Sequence, residues 1–289
     1  HPGKDAAPLP GDGGGVMTTA TLAPVITKPL KVTQRRVIAS EWTKFRSLRS
    51  TIWTLLVGVV LMIGIGAIAS AVTANQYHTF NATDRAAFSA VGVSLAGMNL
   101  AQIAIGVLGV LLISGEYSTG MIRSSLTAVP RRLPMLWAKL GVMAGVVFVL
   151  TLAASFISFF LGQALLSGHH LNVSITDPGA LRSVVGAAGF LTMAGMIGVA
   201  VGALLRNTAG GISAFVAAFL VIPPLTSLLP HSVSNHITPY MPPNAGASMY
   251  NGTANAAGAL SPLAGFLVLG AFLVILVAAA AYRLQRSDA

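Results

Sequence analysis

No cysteine occurs in the 289 residues, which excludes disulfides, thiolate-bound metals and cysteine nucleophiles. Charge is almost as scarce. Only 8% of residues are Asp, Glu, Lys or Arg, and the stretches 86–114 and 140–176 contain none of them. Acids are the rarer sign, 7 against 17 Lys and Arg. Ion-driven carriers place an ionisable group inside the membrane, where it binds and releases the coupling ion. With no such group at mid-depth in its apolar runs, this chain has no internal ion relay. It also lacks the Gly-x-x-x-x-Gly-Lys-Ser/Thr loop that cradles nucleotide phosphates, a His-Glu-x-x-His metal spacing and a Gly-x-Ser-x-Gly elbow. His169 and His170 are adjacent in sequence, which by itself makes no metal site. No catalytic or metal-binding residue is assigned, and the chain is not read as an enzyme.

What is abundant is apolar surface. Hydrophobic residues make up 54% of the chain, and the mean hydropathy is +0.78. Uncharged apolar runs of this length read as transmembrane helices. Six are expected, at about 52–74, 91–113, 140–166, 183–205, 210–229 and 260–282. The fold class is therefore an all-α membrane protein. The formal charge of +10 does not point to nucleic acid, because the basic residues flank the apolar runs. The N-terminal flank, residues 114–139, Arg206, Arg283 and Arg286 fall on one side, and only Arg85 and Arg182 on the other. By the positive-inside rule both termini are cytoplasmic.

Three regions are expected. Residues 1–30 form a disordered leader and cytoplasmic tail, in which 1–16 precede the first Met and Met17 is the expected start. Residues 31–50 form a basic interfacial helix, with Ile38, Trp42, Phe45 and Leu48 on one face and Glu41 spoiling the two-sided pattern. The six-span domain occupies 51–286. Residues 230–259 contain four prolines, Tyr240 and Tyr250 but no charge, so this segment is expected to lie on or dip into the outer leaflet, its backbone shielded by protein. Gly141/Gly145 and Gly198/Gly202 are spaced one helical turn apart, a pattern that lets helices approach closely.

Neutral polar residues stand out within the spans. Asn99, Gln102, Thr151, Ser155 and Gln163 read first as interhelical hydrogen bonders, and as a candidate substrate path if the bundle conducts. The most unusual stretch is 114–139, a charged island between two uncharged runs that holds Glu116, Arg123, Arg131, Arg132 and Lys139. Glu116 is placed to pair with Arg123 or with a basic residue of a partner. A bundle with no fuel site and no titratable core needs energy from outside the chain, and the island is the surface through which a partner would deliver it.

The segments SEWTKFRSLRST, GEYSTGMIRSSLTAVPRRLPMLWAK, RNTAGGISAF and YMPPNAGASM resemble those of actinobacterial ABC-2 type transporter permeases, over residues 33–286. The resemblance implies a six-span half-transporter in a bacterial plasma membrane. It pairs with a second permease copy or homologue and with a separate cytoplasmic ABC ATPase that carries the ATP and Mg. It also implies that Glu41, Trp42 and Lys44 lie in a connecting helix. Glu116, Tyr117, Ser118, Thr119, Gly120, Met121, Ile122 and Arg123 would form the ATPase-coupling loop. The implied function is ATP-driven export of a drug, antibiotic, lipid or other amphipathic substrate. A non-transporting membrane anchor or immunity protein that binds a partner is the alternative reading of the same residues.

Overall fold

The computed structural model describes residues 34–47, 49–118, 132–251 and 259–286. All regular structure among them is helical. In order these helices are α1 (Gln34–Ser47), α2 (Arg49–Gln76), α3 (Ala82–Ala87), α4 (Ala90–Ser94), α5 (Met98–Ser118) and α6 (Arg132–Ser167). Then come α7 (Ala180–Leu205), α8 (Thr208–Val216), α9 (Ile222–Leu225), α10 (His231–Ile237), α11 (Pro242–Tyr250) and α12 (Pro262–Arg286). Six segments are long and apolar enough to cross a bilayer: Arg49–Thr79, Met98–Tyr117, Leu133–Ser167, Ala180–Leu205, Thr208–Leu228 and Pro262–Arg286. Their outer faces carry large apolar side chains that water would not tolerate in such number, among them Trp53, Val60, Ile68, Val149 and Ile275, all more than half exposed. The chain is a multi-pass membrane protein.

The fourth span, α7, is the hub. It packs against α5, α6, α8, α11 and α12, and its buried face is mostly Ala and Gly. Small residues bring the axes close enough for backbone to meet backbone. A Cβ on Gly198 would lie 2.1 Å from the Gly106 carbonyl oxygen, and one on Gly202 2.8 Å from that of Val110. The other Gly pair behaves differently: nothing lies within 4 Å of a Cβ at Gly141 or Gly145. The same spacing thus makes a helix crossing in α7 and an outward face in α6.

Two spans are broken. The second does not run unbroken from residue 91 as its hydropathy predicts. It stops at Ser94, turns through Leu95–Gly97 and restarts at Met98. Gly97 sits against the first span so closely that a Cβ would be 2.2 Å from the Met62 carbonyl oxygen. The fifth span passes from α-helix through a π turn at Ala217–Val221 into the Pro223-Pro224 segment. Two consecutive prolines remove two backbone donors, and the wider turn before them absorbs the mismatch.

The third span is longer than its uncharged run. Helix α6 begins at Arg132 and not near 140, so Lys139 lies two turns inside it. At 1.5 Å per residue, 36 residues extend about 54 Å, well past a hydrocarbon core of about 30 Å. The overhanging first turns carry α1, through apolar contacts and a hydrogen bond from Gln34 Nε2 to the Pro134 carbonyl at 3.1 Å. The face of α1 differs from the expected one. Val37, Glu41 and Phe45 are buried, whereas Ile38 and Trp42 are exposed. Leu48 lies outside the described residues, as do residues 1–33. The segment after the fifth span is a chain of short helices, and Ala245, Gly246, Met249 and Tyr250 of α11 are buried against α7 and α12.

Candidate functional site

Glu41 explains the irregular face of α1. It is turned inward because two lysines meet it there. Lys139 Nζ donates to Glu41 Oε2 at 2.7 Å and to Glu116 Oε1 at 3.0 Å. Lys44 Nζ donates to Glu41 Oε1 at 2.8 Å and to Glu116 Oε1 at 3.3 Å. Among the described residues, two carboxylates and two ammoniums thus form a ring that joins α1, the end of α5 and the start of α6. Lys139, Glu41 and Glu116 are nearly inaccessible, with side chains 2%, 3% and 7% exposed. Groups so far from water need partners of opposite sign, and each of these three faces two. Glu116 therefore pairs with lysines of its own chain. Its Oε2 is buried with no hydrogen-bond partner among the described residues, which leaves one acceptor for a further donor. Of the coupling-loop residues, Thr119, Gly120, Met121, Ile122 and Arg123 lie outside the described residues, and Ser118 is the last residue of α5.

Burial by itself would raise the Glu41 pKa, but the Lys139 and Lys44 ammoniums beside it outweigh burial and hold it below its ordinary 4.5. For Lys44, burial pulls down, and the Glu41 and Glu116 carboxylates more than offset it, leaving the ammonium above its ordinary 10.5. The sign of the pH dependence follows. The Glu41 contribution is complete above 4.5 and disappears as pH falls through the lowered value. The Lys44 contribution is complete below 10.5 and disappears as pH climbs through the raised one. Melting in detergent should therefore be flat from about pH 5 to 10 and fall on the acid side. In Glu41→Gln that acid limb should shrink; an unchanged limb would separate Glu41 from the stability of the joint.

The neighbouring side chain faces the other way. Tyr117 lies under the Arg206 guanidinium, 5.2 Å from ring centroid to Cζ. Arg206 ends α7 in the left-handed region, at φ 56°, and donates to the Arg283 carbonyl at 3.4 Å, while Arg283 donates to the Leu204 carbonyl. Ser114 accepts from Thr208 Oγ1 at 3.0 Å. The end of the second span is thus clamped on both sides, by α1 and α6 through Glu116 and by the ends of α7, α8 and α12 through Ser114 and Tyr117.

The candidate path residues separate into two groups. Thr151 and Ser155 are buried but bond their own helix, to the Val147 and Thr151 carbonyls, both at 2.7 Å; neither reaches a neighbouring helix. Gln163 acts between helices. Its Nε2 donates to the Ala90 carbonyl at 3.2 Å and Ser94 Oγ at 2.9 Å, and its Oε1 accepts from the Val173 N–H at 2.8 Å. With Ser158, which donates to the Ser94 carbonyl at 2.6 Å, it fastens the break in the second span.

Asn99 and Gln102 instead line a cavity of about 540 Å³. It lies between the restart of the second span, the π turn and prolines of the fifth, and the segment holding Thr238 and Asn244. Each amide nitrogen there donates to a backbone carbonyl: Asn99 to Ala96 at 3.4 Å, Gln102 to Asn99 at 3.1 Å, and Asn244 to Thr238 at 2.8 Å. Those acceptors fix the amide orientation. Gln102 Oε1 is buried without a partner. Among the described residues no charged side chain lines this cavity. Its surface is mostly apolar, with Asn99, Gln102, Asn244 and the hydroxyls of Thr226, Ser227, Ser234 and Thr238 supplying neutral polar groups.

Sequence reasoning missed Lys139 as a partner of Glu41 and the wall formed by Thr226, Ser234, Thr238 and Asn244. The signal for the first was the lone acid on the apolar face of α1. Among the described residues no cluster of His, Asp and Glu could hold a metal. No family model and no curated protein matches the chain.

Proposed function

We propose that this chain is the permease subunit of an ATP-driven exporter of the ABC-2 type, worked by a separate cytoplasmic ATPase docked beside α1 and the segment after Glu116. The observation that carries this reading is the buried ring of Glu41, Lys44, Glu116 and Lys139. It makes α1 and both ends of the charged island one mechanical unit. A push on the island would reach α1 and α6 through the ring, and α7, α8 and α12 through Ser114 and Tyr117. The chain's own residues provide the lever; the ATP and Mg belong to the partner.

The cavity at Asn99 and Gln102 supports transport over a purely anchoring role. It lies where two spans are broken, and irregular backbone at membrane depth is tolerated where protein buries it or where it lines a cavity. A largely apolar lining with a few neutral amide and hydroxyl groups suits an amphipathic substrate. A second copy would complete the path.

Affinity purification from native membranes is expected to recover an ATPase in a fixed ratio to this chain. Glu116→Gln should lower ATP-dependent export in proteoliposomes about tenfold, with the amount inserted in the membrane unchanged. Recovery of a non-ATPase partner, together with full function in Glu116→Gln, would favour the anchor reading.

A further inference from the structure

A second cavity lies against α7 and shares no lining residue with the Asn99 cavity or the ion ring. It is a lateral groove of about 670 Å³, walled by Phe148 of α6 and by Pro262, Leu263 and Phe266 of α12, and floored by α7 at Gly186 and Gly189 with Met249 of α11. Its size is that of a small-molecule site. Its rim is built of residues that face lipid, since Val185, Leu263 and Phe266 are 40%, 68% and 48% exposed. An apolar groove of this volume, open to a bilayer, fills with hydrocarbon.

Among the described residues of the lining, the one charged side chain is Arg182. It sits in the first turn of α7, one turn of chain from Gly179, and it is exposed with no hydrogen bond or ion pair among the described residues. Asp177, the nearest acid in sequence, accepts from the Ser174 N–H at 2.8 Å. Along α7 the seven residues from Arg182 to Gly189 cover about 10 Å, against about 15 Å for one leaflet of hydrocarbon. The groove thus begins at the level of the headgroups, where a cation waits, and ends toward mid-bilayer among aromatic and glycine residues. A guanidinium is the side chain best suited to grip a phosphate through paired donors.

We propose that this groove is a binding site for an anionic phospholipid, with one acyl chain lying over Gly186 and Gly189 and the phosphate held by Arg182. The site is independent of the transport reading and would exist equally in an anchor. The occupant is a lipid and not a soluble phosphate, because nearly all of the lining is apolar and Arg182 alone supplies charge.

The test uses the full chain reconstituted in nanodiscs of equal phosphatidylglycerol and phosphatidylcholine, then released into mild detergent for native mass spectrometry. Phosphatidylglycerol adducts are expected at about fivefold excess over phosphatidylcholine, the size of effect a single interfacial cation gives. Arg182→Gln should reduce the excess to parity, with melting in phosphatidylcholine unchanged because the side chain has no described partner. Arg85→Gln, the other basic residue at that end, should leave the excess intact. Gly189→Ile would fill the groove against only the mobile tip of Met249, 3.4 Å from a Cβ there, and should remove retained lipid of both classes. Millimolar glycerophosphate should displace none. Equal retention of the two lipids by the native chain, an undiminished excess in Arg182→Gln, or displacement by glycerophosphate would each overturn the proposal.

Discussion

Lys139→Met is expected to lower stability by about 3–5 kcal/mol, the usual loss when one member of a buried ion pair is removed. Methionine keeps the length and apolar stem of lysine, so packing along α6 survives and the deficit is electrostatic. Two carboxylates, Glu41 and Glu116, would then face each other with only Lys44 between them, and Lys44 is 36% exposed. The cheapest relief is for α1 to swing out and hydrate Glu41. The absence of native cysteine makes that movement easy to follow: Val37→Cys introduces a single thiol at a position now 4% exposed. Maleimide labelling of that thiol should be slow in the otherwise native chain and fast when Lys139→Met is added. Neutralising the three buried members, with Glu41→Gln, Glu116→Gln and Lys139→Met together, should recover most of the melting temperature, because the one charge left, Lys44, is 36% exposed and can reach water. It should not recover the proposed export, since the ion pairs that tie the island to α1 are gone. Protection of Val37→Cys in the Lys139→Met background would show that apolar contacts around Phe45 hold α1 without the ring.

That contrast shows how far sequence reading reaches. Six spans are legible because a membrane demands long apolar runs and little else satisfies that demand. The break in the second span is not, since Leu95–Gly97 is as hydrophobic as the helices around it, whereas Pro223-Pro224 mark the one in the fifth. What interrupts the second span is the approach of the Met62 backbone and the clasp from Gln163, both set by distant residues. Glu41 was visible as an anomaly on α1, but its partner lies 98 residues away, and Lys139 read as one more cation of the island. Thr151 and Ser155 look as promising as Asn99 and Gln102 in composition. They separate only when each hydroxyl is followed to the carbonyl one turn back, where its hydrogen bond is already made.

These particulars converge on the second span. One end carries Ser114, Glu116 and Tyr117, each anchored to a different neighbour, and the other opens into the Asn99 and Gln102 cavity. An α-helix is stiff along its axis, so a displacement imposed near Glu116 has a direct route to that cavity, provided that α5 turns against α7 as a rigid piece. The crossing at Gly106 and Gly198 is the pivot that such a motion requires.

Gly198→Leu should therefore be among the most damaging single changes in the bundle. The three atoms nearest a Cβ at Gly198 are the Gly106 carbonyl oxygen, carbon and Cα, at 2.1, 3.0 and 3.2 Å. All are backbone, so no rotamer change can clear the way, and the helices must separate. Room to shift is limited further, because α8 packs against both helices here and its Phe215 fills the space a Gly106 side chain would occupy, 1.9 Å from that Cβ position. Overpacking of this kind costs about 3 kcal/mol or more, and detergent-solubilised protein should lose its monodisperse peak. Gly198→Ala is the informative intermediate: it should insert and fold with a lowered melting point, while the widened crossing shifts Gln102, one turn from Gly106, and lowers export more than its stability loss explains. Gly141→Leu supplies the control on the identical motif. With nothing within 4 Å, it should leave the melting of the isolated chain within about 0.5 kcal/mol of native. Equal damage from Gly141→Leu and Gly198→Leu would mean that the outward face of α6 is as tightly packed as the hub, and the pivot would lose its basis.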